Sequence, residues 1–327
     1  MLYLLVWYLA LVALPHCLIA ADIDSEVVYQ FPEPLRIENF AIRSNGDLLL
    51  NILLEPSLYS LDPVTRSPNL IHKFPDATGL YGIAEVSPDV FAVIVGNYSL
   101  AIGTTVPHSQ SVYQVTFEGL QHHVEKVTDI PEGLLLNGIE GLLGENGAVL
   151  IADSRQGAVL KLDMGSGVYD VAIQVPEMAP PADAAPQVGV NGLNIRDGFL
   201  YWTNSDMEAV YRIEIDDHGY ALPNAESKLI VNVGQRPDDF TFDSEGNIWV
   251  TTHRANTLVV ANVDGEVSTV LGSSSEMTVA GATACRFGRR EGEEEILYVV
   301  TDGAHANPVN GTVTEGGKVV AVDVSGA

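Results

Sequence analysis

Residues 191–204 read NGLNIRDGFLYWTN. Leu193 and Ile195 alternate with polar neighbours, which is the period of a half-buried strand. Arg196-Asp197-Gly198 then supplies residues that tolerate positive φ, as a hairpin turn requires. The run Phe199-Leu200-Tyr201-Trp202-Thr203 follows, aromatic and β-branched, as a second and more apolar strand. The stretch therefore predicts a strand, a tight turn and a stronger strand.

The same plan recurs along the chain. It is found in ENFAIRSNGDLLLNIL from Glu38, IAEVSPDVFAVIVGN from Ile83, NGIEGLLGENGAVLIADS from Asn137, DDFTFDSEGNIWVTTH from Asp238 and ATACRFGRREGEEEILYVVTDG from Ala282. A third strand follows most units, as in AVYRIEID from Ala209, and a weaker fourth can be read in KLIVNV from Lys228 and EVSTVL from Glu266. The units recur about every 45–55 residues, near the period of propeller blades. A β-sandwich needs no sixfold module, and a β-helix needs no hairpin turns. The fold expected is all-β: a six-bladed β-propeller of four-stranded antiparallel blades over residues 22–327. The early run EVVYQF from Glu26 is expected to pair with the last blade and close the ring.

Residues 1–21 stand apart. They hold no charged side chain, an apolar core from Leu2 to Leu14, a breaker at Pro15 and small residues at Ala20 and Ala21. That layout predicts a signal peptide and a secreted protein with no membrane attachment after cleavage, with an uncleaved signal anchor as the competing reading. Asn97-Tyr98-Ser99 and Asn310-Gly311-Thr312 fit the N-glycosylation pattern. Cys17 lies in the signal segment, which leaves Cys285 with no disulfide partner; its apolar context reads as a small buried hydrophobe. The formal net charge of −27 argues against a nucleic-acid partner and favours attraction of cations. The sequence sets no oligomeric state, and no organic cofactor motif is present.

An up-and-down blade carries the start of its inner strand and the end of its second strand to one mouth of the channel. Glu38, Asn137, Asn191 and Asp238 occupy matching inner-strand positions. Asp153, Ser154, Asn204, Asp206, His253, Arg254, Asp302 and His305 end second strands or open the loops after them. Converging carboxylates and amide oxygens are the donors that Ca²⁺ prefers. The same residue types also cap turns before strands. The loop from Pro176 to Val190 lies at this mouth, as a lid or a linker.

Glu38, Asn191-Gly192-Leu193, Pro237-Asp238 and Ile248-Trp249-Val250 resemble the SMP-30/gluconolactonase/luciferin-regenerating-enzyme propellers. The resemblance spans nearly all of residues 22–327. It implies one divalent metal, Ca²⁺ first, held by Glu38, Asn191 and Asp238. It also implies that Asn137 contacts substrate or metal and that Asp238 is the base in lactone hydrolysis. The chain departs from the family in three places. Ile37-Glu38-Asn39-Phe40 replaces Gly-Glu-Gly-Pro, Pro237 is followed by Asp238-Asp239 rather than Asp-Gly, and Leu135 stands where sugar lactonases place an Arg. Leu135, with Phe40 and Phe240 expected near the mouth, suits a hydrophobic small-molecule substrate. These variants are similar to the secreted fungal branch whose members include hetero-Diels–Alderases, which join a tropolone-derived quinone methide to a terpene such as humulene. The catalytic set implied is Asp238 and Asn137 with the rim groups His253, Arg254 and His305. Two other functions remain open at this point: a metal-dependent lactone or ester hydrolase, and a non-catalytic ligand-binding propeller.

Overall fold

A computed structural model of the chain describes residues 23–102, 104–119, 121–142 and 147–326. The expected signal segment, residues 1–21, lies outside them. The fold is an all-β propeller, as the hairpin repeat predicts. The strands Leu136–Gly141, Ala148–Asp153, Ala158–Asp163 and Tyr169–Ile173 form one antiparallel four-stranded sheet. Val190–Arg196, Phe199–Asn204, Ala209–Glu214 and Lys228–Asn232 form a second, and Phe240–Phe242, Ile248–Thr252, Thr257–Ala261 and Val267–Gly272 a third. A fourth joins Ala282–Phe287, Ile296–Thr301 and Lys318–Asp323 to the early strand Ser25–Gln30.

The remaining blade strands are merged. The meander opening with Arg36–Ile42 and the meander opening with Gly79–Ser87 share one Leu53–Gly79 pair, which makes a single eight-stranded sheet. The separate blades expected here are thus four discrete sheets and one double sheet. The early strand pairs antiparallel with the last one from Ser25–Val322 to Gln30–Lys318, and so covers an edge that would otherwise be open.

The apolar core lies between neighbouring sheets rather than in the channel. Trp202 and Leu193 pack with Leu150 and Val159 of the preceding sheet. Phe40, Ile37 and Leu50 pack with Ala284, Tyr298 and Val300 across the first–last junction. Cys285 is buried in another such layer, and its thiol reaches the Trp249 carbonyl at 3.4 Å. Polar side chains tie neighbouring meanders together at their inner strands. Asn51 Nδ2 donates to Tyr81 O at 2.5 Å, and Thr203 Oγ1 to Asp238 O at 2.6 Å. Thr251 Oγ1 donates to Thr283 O at 2.9 Å, and Thr283 Oγ1 to Ile37 O at 3.0 Å.

Inner strands approach each other so closely that a side chain has no room. A Cβ on Gly138 would sit 2.2 Å from the Asn191 carbonyl oxygen, and one on Gly192 would sit 2.4 Å from Asp239 Oδ1. Gly138→Ala is expected to cost about 1–3 kcal/mol, the usual cost of overpacking a rigid neighbour. A urea titration that left the midpoint unchanged would show that the two strands can part freely.

Candidate functional site

The inner strands do not run straight into the channel mouth. Pairing registers slip between Ile37 and Asn39, Leu80 and Ile83, Leu136 and Ile139, Val190 and Leu193, and Ala282 and Ala284. The residues inside these slips are Glu38, Tyr81-Gly82, Asn137-Gly138, Asn191-Gly192 and Thr283. A bulge leaves its extra residue outside the ladder and re-aims its side chain. Asp238 reaches a similar place by preceding its strand, with its N–H on Thr251 O at 2.8 Å.

These re-aimed residues share one cavity of about 360 Å³. Glu38, Asn137, Asn191, Asp238, His253, Arg254, His305, Asp302 and Leu135 all line it, so the residues singled out for catalysis and metal binding lie together. Other expected mouth residues do not. Asp153, Ser154 and Asn204 are wholly buried. Asp153 accepts the N–H groups of Leu134 and Leu135 at 2.8 and 3.0 Å, a turn-capping role that shapes the strand entry. Asp206 pairs with Arg236 and holds Val188 N–H at 2.7 Å.

Phe40 and Phe240 are also corrected. Both are fully buried between sheets, because the bulge at Glu38 takes that side chain out of alternation and leaves Phe40 on the intersheet face. Phe240, paired with Val250, packs between sheets with Tyr201. The apolar wall comes instead from Leu135, Leu53, Tyr81, Tyr98, Pro186 and Val188. Pro186 and Val188 belong to the Pro176–Val190 loop, whose start is anchored by Asn204 Nδ2 donating to Glu177 O and Ala179 O at 2.9 and 3.1 Å.

Several lining residues escaped sequence reading. Tyr81 stands before Gly82 as Asn137 stands before Gly138 and Asn191 before Gly192, so the repeated x-Gly pair was the available signal. Arg36, Arg236 and Ser205 carry no such mark. Of the two sequon asparagines, Asn310 is exposed. Asn97 is partly buried beside the Tyr98–Ser99/Thr104–Thr105 hairpin, with its N–H on Ser109 Oγ.

The electrostatics centre on His253. Its Nε2 is 2.9 Å from Asp302 Oδ2 and its Nδ1 is 3.8 Å from Asp238 Oδ2. Burial alone would lower the imidazole, but Asp302 and Asp238 outweigh it and hold His253 above its ordinary value. Burial would likewise raise Asp302, yet the His253 charge beside it keeps it below the usual carboxylate range. Asp238 is different. Burial pushes it up to about 6 against the pull of His253, with Asp239 adding repulsion. Glu38 is driven well above its ordinary value by burial and by Asp238 and Asp239. The cavity thus holds a charged His–Asp pair beside two reluctant carboxyls, an arrangement suited to moving protons.

Among the described residues, no group of three or more His, Cys, Asp or Glu is placed to hold a metal ion. The mixed set of Glu38, Asp238 and Asn191 is chemically suited to one. Glu38 Oε2 is buried without a hydrogen-bond partner. Asn191 Nδ2 donates to Asp238 Oδ1 at 2.7 Å and to Ser205 Oγ at 3.0 Å, which leaves its amide oxygen to offer. Two desolvated carboxyls and a free amide oxygen match the preference of a hard divalent cation.

A family model described as the SMP-30/gluconolactonase/LRE-like region matches residues 140–303. A protein of Phoma sp assigned as a hetero-Diels–Alderase is 29% identical over 306 residues, covering 85% of this chain and 86% of that protein. One of Sarocladium schorii with the same assignment is 26% identical over 339 residues, covering 93% and 84%. Among solved structures, the calcium-binding protein regucalcin of Agrobacterium tumefaciens superposes with a TM-score of 0.63 at 14% identity, covering 92% of this chain and 95% of that one. At that identity the likeness speaks for the fold alone.

Proposed function

The chain belongs to the SMP-30/gluconolactonase/LRE-like family, and on that footing we propose that it is a hetero-Diels–Alderase acting on hydrophobic small molecules. The observation that carries this reading is the pairing of an apolar wall at Leu135 with the Asp302–His253–Asp238 row in one cavity.

The first task is to make the reactive diene. A hydroxymethyl precursor bearing a ring hydroxyl becomes a quinone methide by losing water. His253, as its imidazolium, gives a proton to the departing hydroxyl. Asp238 takes the proton of the ring hydroxyl. The C–O bond breaks, water leaves, and the proton on Asp238 returns to His253 across the short gap between them. Asn137 and Arg254 orient the substrate oxygens, and His305 stands at the rim, its Nε2 on Glu315 O at 3.2 Å.

The second task is proximity. Leu135, Leu53, Tyr81 and Val188 hold the terpene alkene against the quinone methide, which replaces a bimolecular encounter by a fixed orientation. Leu135 offers no hydrogen bond to a sugar hydroxyl, which weakens the sugar-lactonase reading.

A divalent cation, Ca²⁺ first, would be held by Glu38, Asn191 and Asp238. It would supply Lewis-acid polarisation of a substrate oxygen. Addition of Ca²⁺ at about 100 times its Kd is expected to raise stability by about 2–3 kcal/mol, and EDTA to reverse it. A melting temperature indifferent to both would remove the metal from this reading. The enzyme test is turnover of a hydroxymethyl-tropolone with humulene. A single enantiomer of adduct is expected above the racemic background. Racemic product at the background rate, with hydrolysis of a lactone panel, would establish the hydrolase instead.

A further inference from the structure

A second cavity of about 460 Å³ opens at the other end of the channel. Four of the inner strands that start at the first cavity reach this one with their far ends. Ile42 ends one inner strand, Val86 and Ser87 end the next, and Glu140 and Gly141 end a third. Arg286 and Arg289 stand at and beyond the end of Ala282–Phe287.

The charges here are matched except for one. Arg289 Nη1 is 2.5 Å from Glu85 Oε2 and 2.7 Å from the Ile42 carbonyl oxygen. Arg286 Nη2 is 3.5 Å from the buried Asp239, and its Nε donates to Phe40 O at 2.9 Å. Glu140 receives no hydrogen bond and makes no ion pair among the described residues. Arg286 is its counter-charge in the cavity and is already committed to Asp239. The rest of the wall is apolar: Ile42, Ile83, Val86 and Pro88.

We propose that this second cavity binds a small organic ammonium ion with an apolar body, its N–H groups held by Glu140. A cation supplies the missing partner, and the aliphatic wall takes the body. An anion would meet Glu140 and two guanidiniums whose carboxylates are in place. The strongly negative chain raises the local concentration of cations further. Burial pushes Glu140 up to about 7, against the pull of Arg286, so the carboxyl gains from a cation that favours its charged form. The proposal is independent of the reaction assigned to the first cavity, because Glu140 does not line that cavity.

The test is calorimetry at pH 8 with n-hexylamine as probe and hexanoate as its anionic counterpart. Hexylamine is expected to bind and hexanoate not. Glu140→Gln keeps the shape of the side chain and is expected to weaken hexylamine by about 10–100-fold, the loss of a charge-assisted hydrogen bond. Asp238→Asn is expected to leave hexylamine binding unchanged, which separates this cavity from the first. Equal binding by Glu140→Gln, binding lost in Asp238→Asn, preference for hexanoate, or no binding of hexylamine would each overturn the proposal.

Discussion

Replacing His253 by Gln is expected to lower kcat by about 10²–10⁴-fold, the range supplied by a positioned general acid. Gln can still donate to Asp302, so the buried carboxylate is not left bare, but it cannot carry a proton. The pH profile of the parent enzyme should report the same pair. In the proposed reaction Asp238 acts as its carboxylate, so activity should rise through about pH 6. His253 acts there as its imidazolium, so activity should fall only above the ordinary histidine value, because Asp302 and Asp238 hold its proton. A variant with unchanged kcat, or a profile flat across both limbs, would take His253 out of the chemistry. Circular dichroism on the variant separates a lost acid from a lost fold.

The second large effect is one of opposite signs. Asp238→Asn is expected to abolish turnover and to stabilise the metal-free protein by on the order of 2–3 kcal/mol above pH 7. Asp238 sits at about 6 in the folded chain and at an ordinary 3.8 when unfolded. Each unit of difference is worth about 1.4 kcal/mol. The folded state therefore holds the proton more tightly, and stability is lost as pH rises from the unfolded value through the folded one. Asn has no charge to desolvate, so it escapes that loss. Denaturant midpoints of both proteins at about pH 4 and pH 7.5 check this. They should nearly coincide at the lower pH and diverge at the higher one. A destabilised Asp238→Asn would mean that the carboxylate is needed structurally, and the site would not be a place where stability is given up for reactivity.

How much of this was readable from the chain can be seen residue by residue. The hairpin at Asn191–Asn204 is legible because turn chemistry and alternation agree. Glu38, Asn137, Asn191 and Asp238 are legible because they recur in register at one place in the repeat. Tyr81 is not, because its unit reads naturally from Ile83, two residues downstream, where alternation becomes regular. Phe40 and Phe240 were misplaced at the mouth for a related reason. Alternation puts Glu38 and Phe40 on one face, and only the register slip at Glu38 separates them. A bulge adds one residue to one strand and leaves no signature in a pattern of apolar and polar letters. The opposite cavity was illegible for a different reason. Glu140 and Arg286 meet across strands more than 140 positions apart, and neither carries a local motif.

The pairing of Ser25–Gln30 with Lys318–Asp323 has a consequence for synthesis. The first of the described strands, Ser25–Gln30, has no partner until Lys318–Asp323 has been synthesised. Every other four-strand meander can assemble from neighbouring sequence while translation proceeds. The ring itself closes only afterwards, in a step whose contacts are the most distant in the chain and hence the slowest to find. Until then Ser25–Gln30 and the Lys318–Asp323 edge of the last sheet both lack a partner, and other chains can pair with them.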